Sequence, residues 1–456
     1  MIKSSLTLFI AALVALLSGF GLHFAGQPAD IASTTAITAF VAILWVTEAL
    51  PIPATSLIPF ALFPLAGVIS HAEAASSLGS HVIILLMAAF MLSKGLEKAN
   101  LHKRFAIYML RLTGMGSGMK LILGFMLTTA VLSMWISNTA TVLMMLPMAM
   151  AIINATKHTR FGIVLILGIA YAASLGGVGT PIGTPPNIIF MSVYEETQGN
   201  EYNFIEWMKT GVPIVLLAIP AMAMWLGRGL GSIGNIDLPQ PGAWTTAEKR
   251  VLAIFGTVAM AWIFRPFWTG WLGITTVSDS TIAVAGVVAM FMVNSGKPDN
   301  DKLLDWPTAN DIPWGMLLLF AGGICIAKAF KASGLSLLMG EWLTGLSTLP
   351  VLLLVFSICL FVTFLTEITS NTATATLLMP ILAAAGTAVG VDPKLLMIPA
   401  AISASCAFML PVATAPNAIA YASGKFDIKT MAREGMVLNV IVASVVTVVC
   451  YLTLQG

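Results

Sequence analysis

The run Ser133-Met134-Trp135-Ile136-Ser137-Asn138-Thr139-Ala140-Thr141 leads to Pro147. It returns 233 residues later, Asn138 to Asn371, as Thr366-Glu367-Ile368-Thr369-Ser370-Asn371-Thr372-Ala373-Thr374, leading to Pro380. Each copy sets a small group of neutral oxygens and amide donors inside an apolar stretch. A polar cluster repeated at matching places in an apolar chain points to one site assembled twice.

The surroundings decide the class. The 456 residues are 58% hydrophobic and 9% charged, with net charge +2. Mean hydropathy is +0.93. Soluble chains carry about a quarter charged residues, so this one lacks the polar surface that a soluble fold of its length needs. Its apolar runs are continuous and approach the ~20 residues that cross a bilayer as a helix. Barrel strands would alternate over about ten residues. The expected fold class is an all-α polytopic membrane protein. The near-neutral charge gives no footprint for nucleic acid. Cys325, Cys359, Cys406 and Cys450 have no metal or disulfide spacing and read as small core residues. There is no HExxH, Walker or GxGxxG pattern, and the histidines do not cluster; no organic cofactor is expected. Lys3 and the run from Leu6 suit a signal peptide or a first helix. No small-residue cleavage site follows, so a retained helix is expected.

Spans are expected at 6–25, 31–50, 52–70 and 82–97, the second and third parted by Pro51-Ile52-Pro53. Between Lys94 and Lys120 the chain is basic (Lys98, Lys103, Arg104, Arg111), which suits an amphipathic segment on the interface. The first Ser-Asn-Thr lies midway between Lys120 and Lys157/Arg160. It is the middle of a kinked span or the tip of a re-entrant hairpin. Both ends are basic, and basic ends favour the cytoplasmic side, so a hairpin over about 118–156 is expected. Residues 161–193 read as a broken helix. Their middle, Gly176-Gly177-Val178-Gly179-Thr180-Pro181-Ile182-Gly183-Thr184-Pro185-Pro186-Asn187, cannot stay helical, because proline lacks the donor and glycine is a weak helix former. The acidic loop 195–206 then lies outside, and a span at 207–230 returns the chain.

The second half repeats the plan. Spans at 250–268 and 279–295 flank a Trp- and Phe-rich turn around Arg265, as in an interfacial belt. A further span follows Pro313. A hairpin over about 350–386 carries the second Ser-Asn-Thr, and a broken helix over about 394–423 carries Pro411-Val412-Ala413-Thr414-Ala415-Pro416-Asn417. That motif matches 181–187 at an offset of 230, Asn187 to Asn417. Leu85-Leu86 matches Leu318-Leu319, and Lys98-Ala99 matches Lys331-Ala332. The expected division is an extra helix at 1–26 and repeats at 27–235 and 236–456. Counting spans puts the ends of the two hairpins on opposite sides, so the repeats are inverted. The N-terminus is expected in the cytoplasm and the C-terminus in the periplasm or outside. Inverted repeats with paired broken segments mark a secondary transporter whose site lies near the midplane.

At a hairpin tip the helical ladder ends, leaving N–H and C=O groups free. Irregular backbone at this depth is either buried or lines a wet cavity. A hard cation such as sodium accepts carbonyl, hydroxyl and amide oxygens and needs no carboxylate. Amides and helix N-termini also suit an anion. One Ser-Asn-Thr alone would ordinarily be interhelical packing, and the glycine-proline run alone an ordinary kink; their paired occurrence favours a site. Glu367, beside the second tip, is either a coupling group or a structural carboxylate. Glu48, His81 and Arg265 read as interfacial. No lysine or arginine flanks either tip, so the charge of a bound anion must be met by cations, amides and helix dipoles.

Two Ser-Asn-Thr motifs, each followed by a Pro-Asn unwound helix, resemble the divalent anion:sodium symporter (DASS) family, the INDY-type bacterial di- and tricarboxylate transporters. The resemblance covers essentially the whole chain. It implies eleven transmembrane helices, two re-entrant hairpins, a homodimer in the bacterial inner membrane and an elevator-like motion. Carried over by position, the first sodium site uses the Ser133 carbonyl, Ser137, Asn138 and the Gly183 carbonyl. The second uses Thr366, Ser370, Asn371 and the Ala413 carbonyl. The substrate carboxylates meet Ser137, Asn138 and Thr139 at one end and Ser370, Asn371 and Thr372 at the other. Thr184, Pro185 and Thr414 lie close by. Ala415 stands where the pattern has proline, which implies a wider or softer second turn. The activity implied is sodium-coupled symport of a small dicarboxylate anion (succinate, malate, fumarate). A sodium-independent carboxylate exchanger and a sodium:sulfate symporter are alternatives on the same scaffold. An enzyme would need an acid/base pair or nucleophile at the tips, where only Glu367 is near, so none is expected.

Overall fold

Prolines and glycines set where the helices of this chain stop. The computed structural model describes residues 2–113, 118–156, 158–231, 242–274, 276–297, 301–343 and 350–454. The expected junction at 235–236 and Lys157 lie outside them. Among the described residues the secondary structure is helical, apart from one antiparallel bridge, Asn294 to Lys302. Among the described residues, seven helices are long and apolar enough to cross a membrane, or eight if the bent pair Thr246–Ile263 and Arg265–Leu272 is one span. That pair bends by 78°, with Pro266 in the first turn after the bend.

The expected hairpins and broken helices are present. Gly118–Ser133 and Asn138–Thr156 form the first hairpin, and Val351–Thr366 and Asn371–Val389 the second. Thr159–Gly176 and Pro185–Gln198 flank the first unwound stretch, and Lys394–Ala404 and Ala415–Ala422 the second. The two halves interlock. Pro185–Gln198 packs against Asn371–Val389 of the other half, and Ala415–Ala422 packs against Asn138–Thr156. The molecular centre lies here: Thr159–Gly179 is 94% buried, whereas Leu6–Phe24 is 11% buried and rests on Ala29–Thr47. Interior-facing glycines and alanines let these backbones approach closely, as membrane helix packing requires.

One expectation changes, and two gain detail. The span expected at 52–70 is two short helices, Ile52–Thr55 and Ile58–Leu65, before a separate His71–Leu78. Pro53, Pro59 and Pro64 interrupt the ladder there, and Glu48 turns the chain ahead of them with a left-handed backbone (φ 49°). Arg265, expected at the interface, is held by acidic partners inside the protein. It is buried, with its guanidinium 2.9 Å from Glu201 and 3.1 Å from Asp279. The basic segment does form an amphipathic helix, Leu101–Thr113, yet Arg104 on it is buried. Its fork donates to Glu248 at 2.8 and 3.0 Å and to the Gly242 and Ala243 carbonyls. A buried guanidinium demands such partners. The four cysteines are free and buried, as expected.

Candidate functional site

Each hairpin turns sharply, at 134–137 and at 367–370, and the next helix starts on the asparagine of Ser-Asn-Thr. Ser137 caps the new helix, its Oγ accepting from the Ala140 N–H at 3.2 Å, as N-cap serines do. Ser370 makes no such side-chain bond. The residue ending the first helix of each hairpin stitches the tip to the neighbouring broken helix. Ser133 Oγ is 2.7 Å from the Ala173 carbonyl and 2.6 Å from the Asn138 amide. Thr366 Oγ1 is 3.0 Å from the Ala404 carbonyl and 2.7 Å from the Asn371 amide oxygen.

The unwound stretches are held the same way in both halves. Asn187 Nδ2 donates to the Gly177 and Thr180 carbonyls at 3.0 and 2.8 Å. Asn417 Nδ2 donates to the Ala407 and Leu410 carbonyls, both at 3.0 Å. These amides replace the hydrogen bonds lost where the helix opens. In the first stretch the backbone closes on itself. A Cβ on Gly183 would fall 2.4 Å from the Gly177 oxygen, and one on Gly177 2.8 Å from the Gly183 oxygen, so only glycine fits. Ala407 and Ala413 take the matching positions in the second. Thr184 and Thr414 open the following helices with nearly equal backbones, φ/ψ −147°/144° and −143°/152°. With Ala415 in place of proline the N-cap backbone is kept, and Thr414 Oγ1 additionally accepts from the Asn417 N–H at 3.2 Å, a cap that Thr184 does not make. Thr184 Oγ1 also lies 3.2 Å from Ser405 Oγ, joining the two stretches.

Glu367 has a clear role. Its carboxylate accepts from the Phe408, Met409 and Leu410 N–H groups at 2.7, 2.9 and 3.1 Å and from Asn439 Nδ2 at 2.8 Å. Those donors fill the acceptor sites of a carboxylate. Glu367 is a structural clasp on the second unwound stretch.

Oxygen placement at the first tip fits a cation. The end of the Asn138 amide that faces Ser133 also lies 3.2 Å from the Ala173 oxygen and 3.3 Å from the Gly183 oxygen. Every neighbour there is an oxygen, and Ser133 has a single hydroxyl proton to give. Two arrangements satisfy this: the amide nitrogen turned inward as donor, or the amide oxygen inward with a cation among the oxygens. Thr366 likewise has one proton and two acceptors. Neutral oxygens from hydroxyl, amide and carbonyl are the donor set of a hard monovalent cation.

A cavity of about 960 Å³ joins the parts. It is bordered by Ser137, Asn138, Thr139, Ser370, Asn371 and Thr372 of the tips, and by Gly183, Thr184, Pro185, Ala413 and Thr414 of the unwound stretches. Ser133 and Thr366 lie behind it, fully buried. Asn138, Asn371, Pro185 and Ala415, the first residues of four helices, all border it. The helix dipoles give these ends partial positive charge, and Asn138, Asn371 and Ala415 carry N–H groups there whereas Pro185, Pro186 and Pro416 have none, so the cavity suits an anion. The opposite wall was not legible in the sequence. It brings Glu48, Ser93, Lys94, Glu97 and Asp311 to the same space, so a basic residue does reach the cavity although none flanks a tip. The only hint was the position of Lys94 and Glu97 at a span end.

Comparison with known proteins gives the family. The citrate transporter family CitMHS matches residues 42–395. The sodium-dependent dicarboxylate transporter SdcS of Staphylococcus saprophyticus is 40% identical over 440 residues, covering 91% of this chain and 85% of its own. SdcS of Staphylococcus aureus (strain bovine RF122) is 39% identical over 468 residues, covering 97% and 90%. Among solved structures, the Alcanivorax borkumensis YdaH transporter, described as having an unusual topology, is similar with a TM-score of 0.58. It covers 84% of this chain and 87% of its own at 13% identity, a likeness of fold alone.

Proposed function

The chain belongs to the divalent anion:sodium symporter family of membrane transporters, and on that premise we propose that it takes up a C4-dicarboxylate such as succinate, malate or fumarate together with sodium. The observation that carries this reading is the convergence of four helix N-termini and two oxygen clusters on one cavity. The names of the SdcS relatives support the sodium coupling.

Charge dictates the order of events. A dianion entering a dry pocket alone meets a prohibitive desolvation cost. The helix N-termini offset part of it. Sodium ions offset the rest, one at Ser133, Ser137, Asn138 and Gly183, the other at Thr366, Ser370, Asn371 and Ala413. Cations bind first and complete the tips. Ser137, Asn138 and Thr139 then hold one carboxylate, and Ser370, Asn371 and Thr372 the other. Thr184, Pro185 and Thr414 close the site from the unwound turns. Two sodium ions per dianion move no net charge; a third couples uptake to the membrane potential at roughly 2.3 kcal/mol per 100 mV.

The interlocked hairpins and broken helices move as one body, elevator-like, past a wall formed by Ala29–Thr47, His81–Lys98 and Trp314–Ser333. With broken and short helices included, the chain crosses the membrane eleven times, as inverted repeats at 27–235 and 236–456 after the extra helix at 1–26, and it works as a homodimer in the inner membrane. Positive charge favours the cytoplasmic side, which places the N-terminus and the cavity mouth at Lys94 in the cytoplasm.

The test is uptake of labelled succinate into proteoliposomes with sodium or choline outside. Sodium-driven accumulation is expected. Uptake only against preloaded carboxylate, indifferent to sodium, would make the protein an exchanger. No succinate uptake, with sodium-driven uptake of labelled sulfate that unlabelled succinate does not inhibit, would make it a sulfate symporter.

A further inference from the structure

One face of the helix His81–Lys98 forms the cavity wall opposite the tips. Leu86, Ala89, Phe90, Ser93, Lys94 and Glu97 all border the cavity, at the three- and four-residue spacing of a single helical face. The face is apolar over its first turns and polar over its last. Among the described residues, Lys94 is the only lysine or arginine on the lining. Its ammonium is 2.7 Å from Asp311 and 3.6 Å from Glu97. An ammonium has three N–H donors. Asp311 takes one, and Glu97 lies beyond hydrogen-bonding distance, so donors remain for the cavity. The Asp311 side chain is 80% exposed, and exposed ion pairs hold their partners weakly. A carboxylate arriving in the cavity can therefore exchange with Asp311 at little net loss. The Ser93 hydroxyl, on the same face, offers a further donor.

Resting on the dicarboxylate reading above, we propose that Ser93 and Lys94 form a carboxylate subsite on the wall, distinct from the two tips, and that Asp311 competes with the substrate for the ammonium. The substrate visits this station between the tips and the aqueous mouth. Its helix belongs to neither hairpin and neither broken helix, so the subsite does not travel with the tips. Its influence is consequently sided: it acts on binding and release at the face to which this cavity opens, and not at the other.

Sided vesicles test this. The half-saturation concentration for succinate is measured from each membrane face for wild type, Lys94→Gln, Lys94→Arg and Asp311→Asn. Lys94→Gln should raise it about tenfold at the cytoplasmic face, the scale of losing one charge-assisted hydrogen bond, and leave the other face nearly unchanged. Lys94→Arg should restore most of the loss. Asp311→Asn should lower it at the cytoplasmic face, because the competitor is gone. A shift confined to the external face would support the subsite and reverse the orientation proposed above. Equal shifts at both faces, no shift at either, or the same direction of change in Lys94→Gln and Asp311→Asn would overturn it. Wild-type vesicles without sodium-driven succinate flux would instead overturn the transport reading.

Discussion

The two tips do the same job with different chemistry. Met134 and Glu367 occupy matching positions, 233 residues apart. In the first half the Met134 side chain lies against Gly179, where an added Cβ would be 2.5 Å from its terminal methyl. In the second half Glu367 fastens Phe408, Met409 and Leu410 by their N–H groups. One unwound stretch is supported by packing onto glycines, the other by a carboxylate that satisfies free donors. Opening a helix inside a membrane leaves polar backbone that must find partners. The comparison shows that a tight glycine turn and a buried anion are interchangeable answers to that demand.

The largest expected effect is common to both tips. Asn138→Ala and Asn371→Ala should each reduce sodium-driven succinate uptake at least about 100-fold, with the folded protein still recovered by size-exclusion chromatography. Near-normal uptake in either variant would remove that asparagine from the site.

The next effect separates the tips. Glu367→Met leaves several buried N–H groups unsatisfied and should lower unfolding stability by about 3 kcal/mol or more. Met134→Leu changes only packing and should cost less than about 1.5 kcal/mol. Thermal unfolding of the detergent-solubilised protein reads both. Equal shifts would mean that the clasp carries no special load.

A smaller asymmetry concerns backbone approach. Gly177→Ala places a Cβ 2.8 Å from the Gly183 oxygen and 2.9 Å from Asn138 Oδ1, which should weaken sodium activation about tenfold by displacing the first tip. Ala407→Gly, at the matching place, should cost only about 1 kcal/mol of stability and leave the sodium dependence of uptake as in wild type. Sodium titrations of uptake distinguish them.

The smallest effect lies outside the membrane core. Lys98 donates to Asp305 at 2.6 Å and holds its carboxyl down at about 2. The folded-state value is depressed, so this pair adds stability above the ordinary aspartate range near 3.9. That contribution fades as the pH falls from there toward about 2. Exposure of Asp305 keeps it small. Asp305→Asn should flatten this acid limb of a stability-against-pH curve while leaving the plateau near neutrality almost unchanged.

Much of the candidate site was legible because its signals are local. The polar tips, the glycine-proline interruptions and their repetition each occupy a dozen residues or fewer, so hairpins and broken helices could be placed near their observed bounds. The third span was misread because apolar content was weighed above three closely spaced prolines. The partners of Arg265, Glu201 and Asp279, were not legible because they come from two other segments. Ala415 suggested a wider or softer turn; Thr414 keeps a backbone close to that of Thr184 and adds a side-chain cap on the Asn417 N–H.

The sequence by itself determined the membrane class, the helical character and a polar cluster that occurs twice, since composition, periodicity and helix breaking depend on neighbours along the chain. Tertiary structure alone decided what the charged groups do. Glu367 became a clasp on the second unwound stretch only when Asn439, 72 residues away, and the backbone at 408–410 closed around it. Lys94 became part of the cavity only when its helix was set opposite the tips and Asp311, 217 residues distant, came to its side. Electrostatic roles follow from distances through space and from burial, and neither is written in the local order of residues.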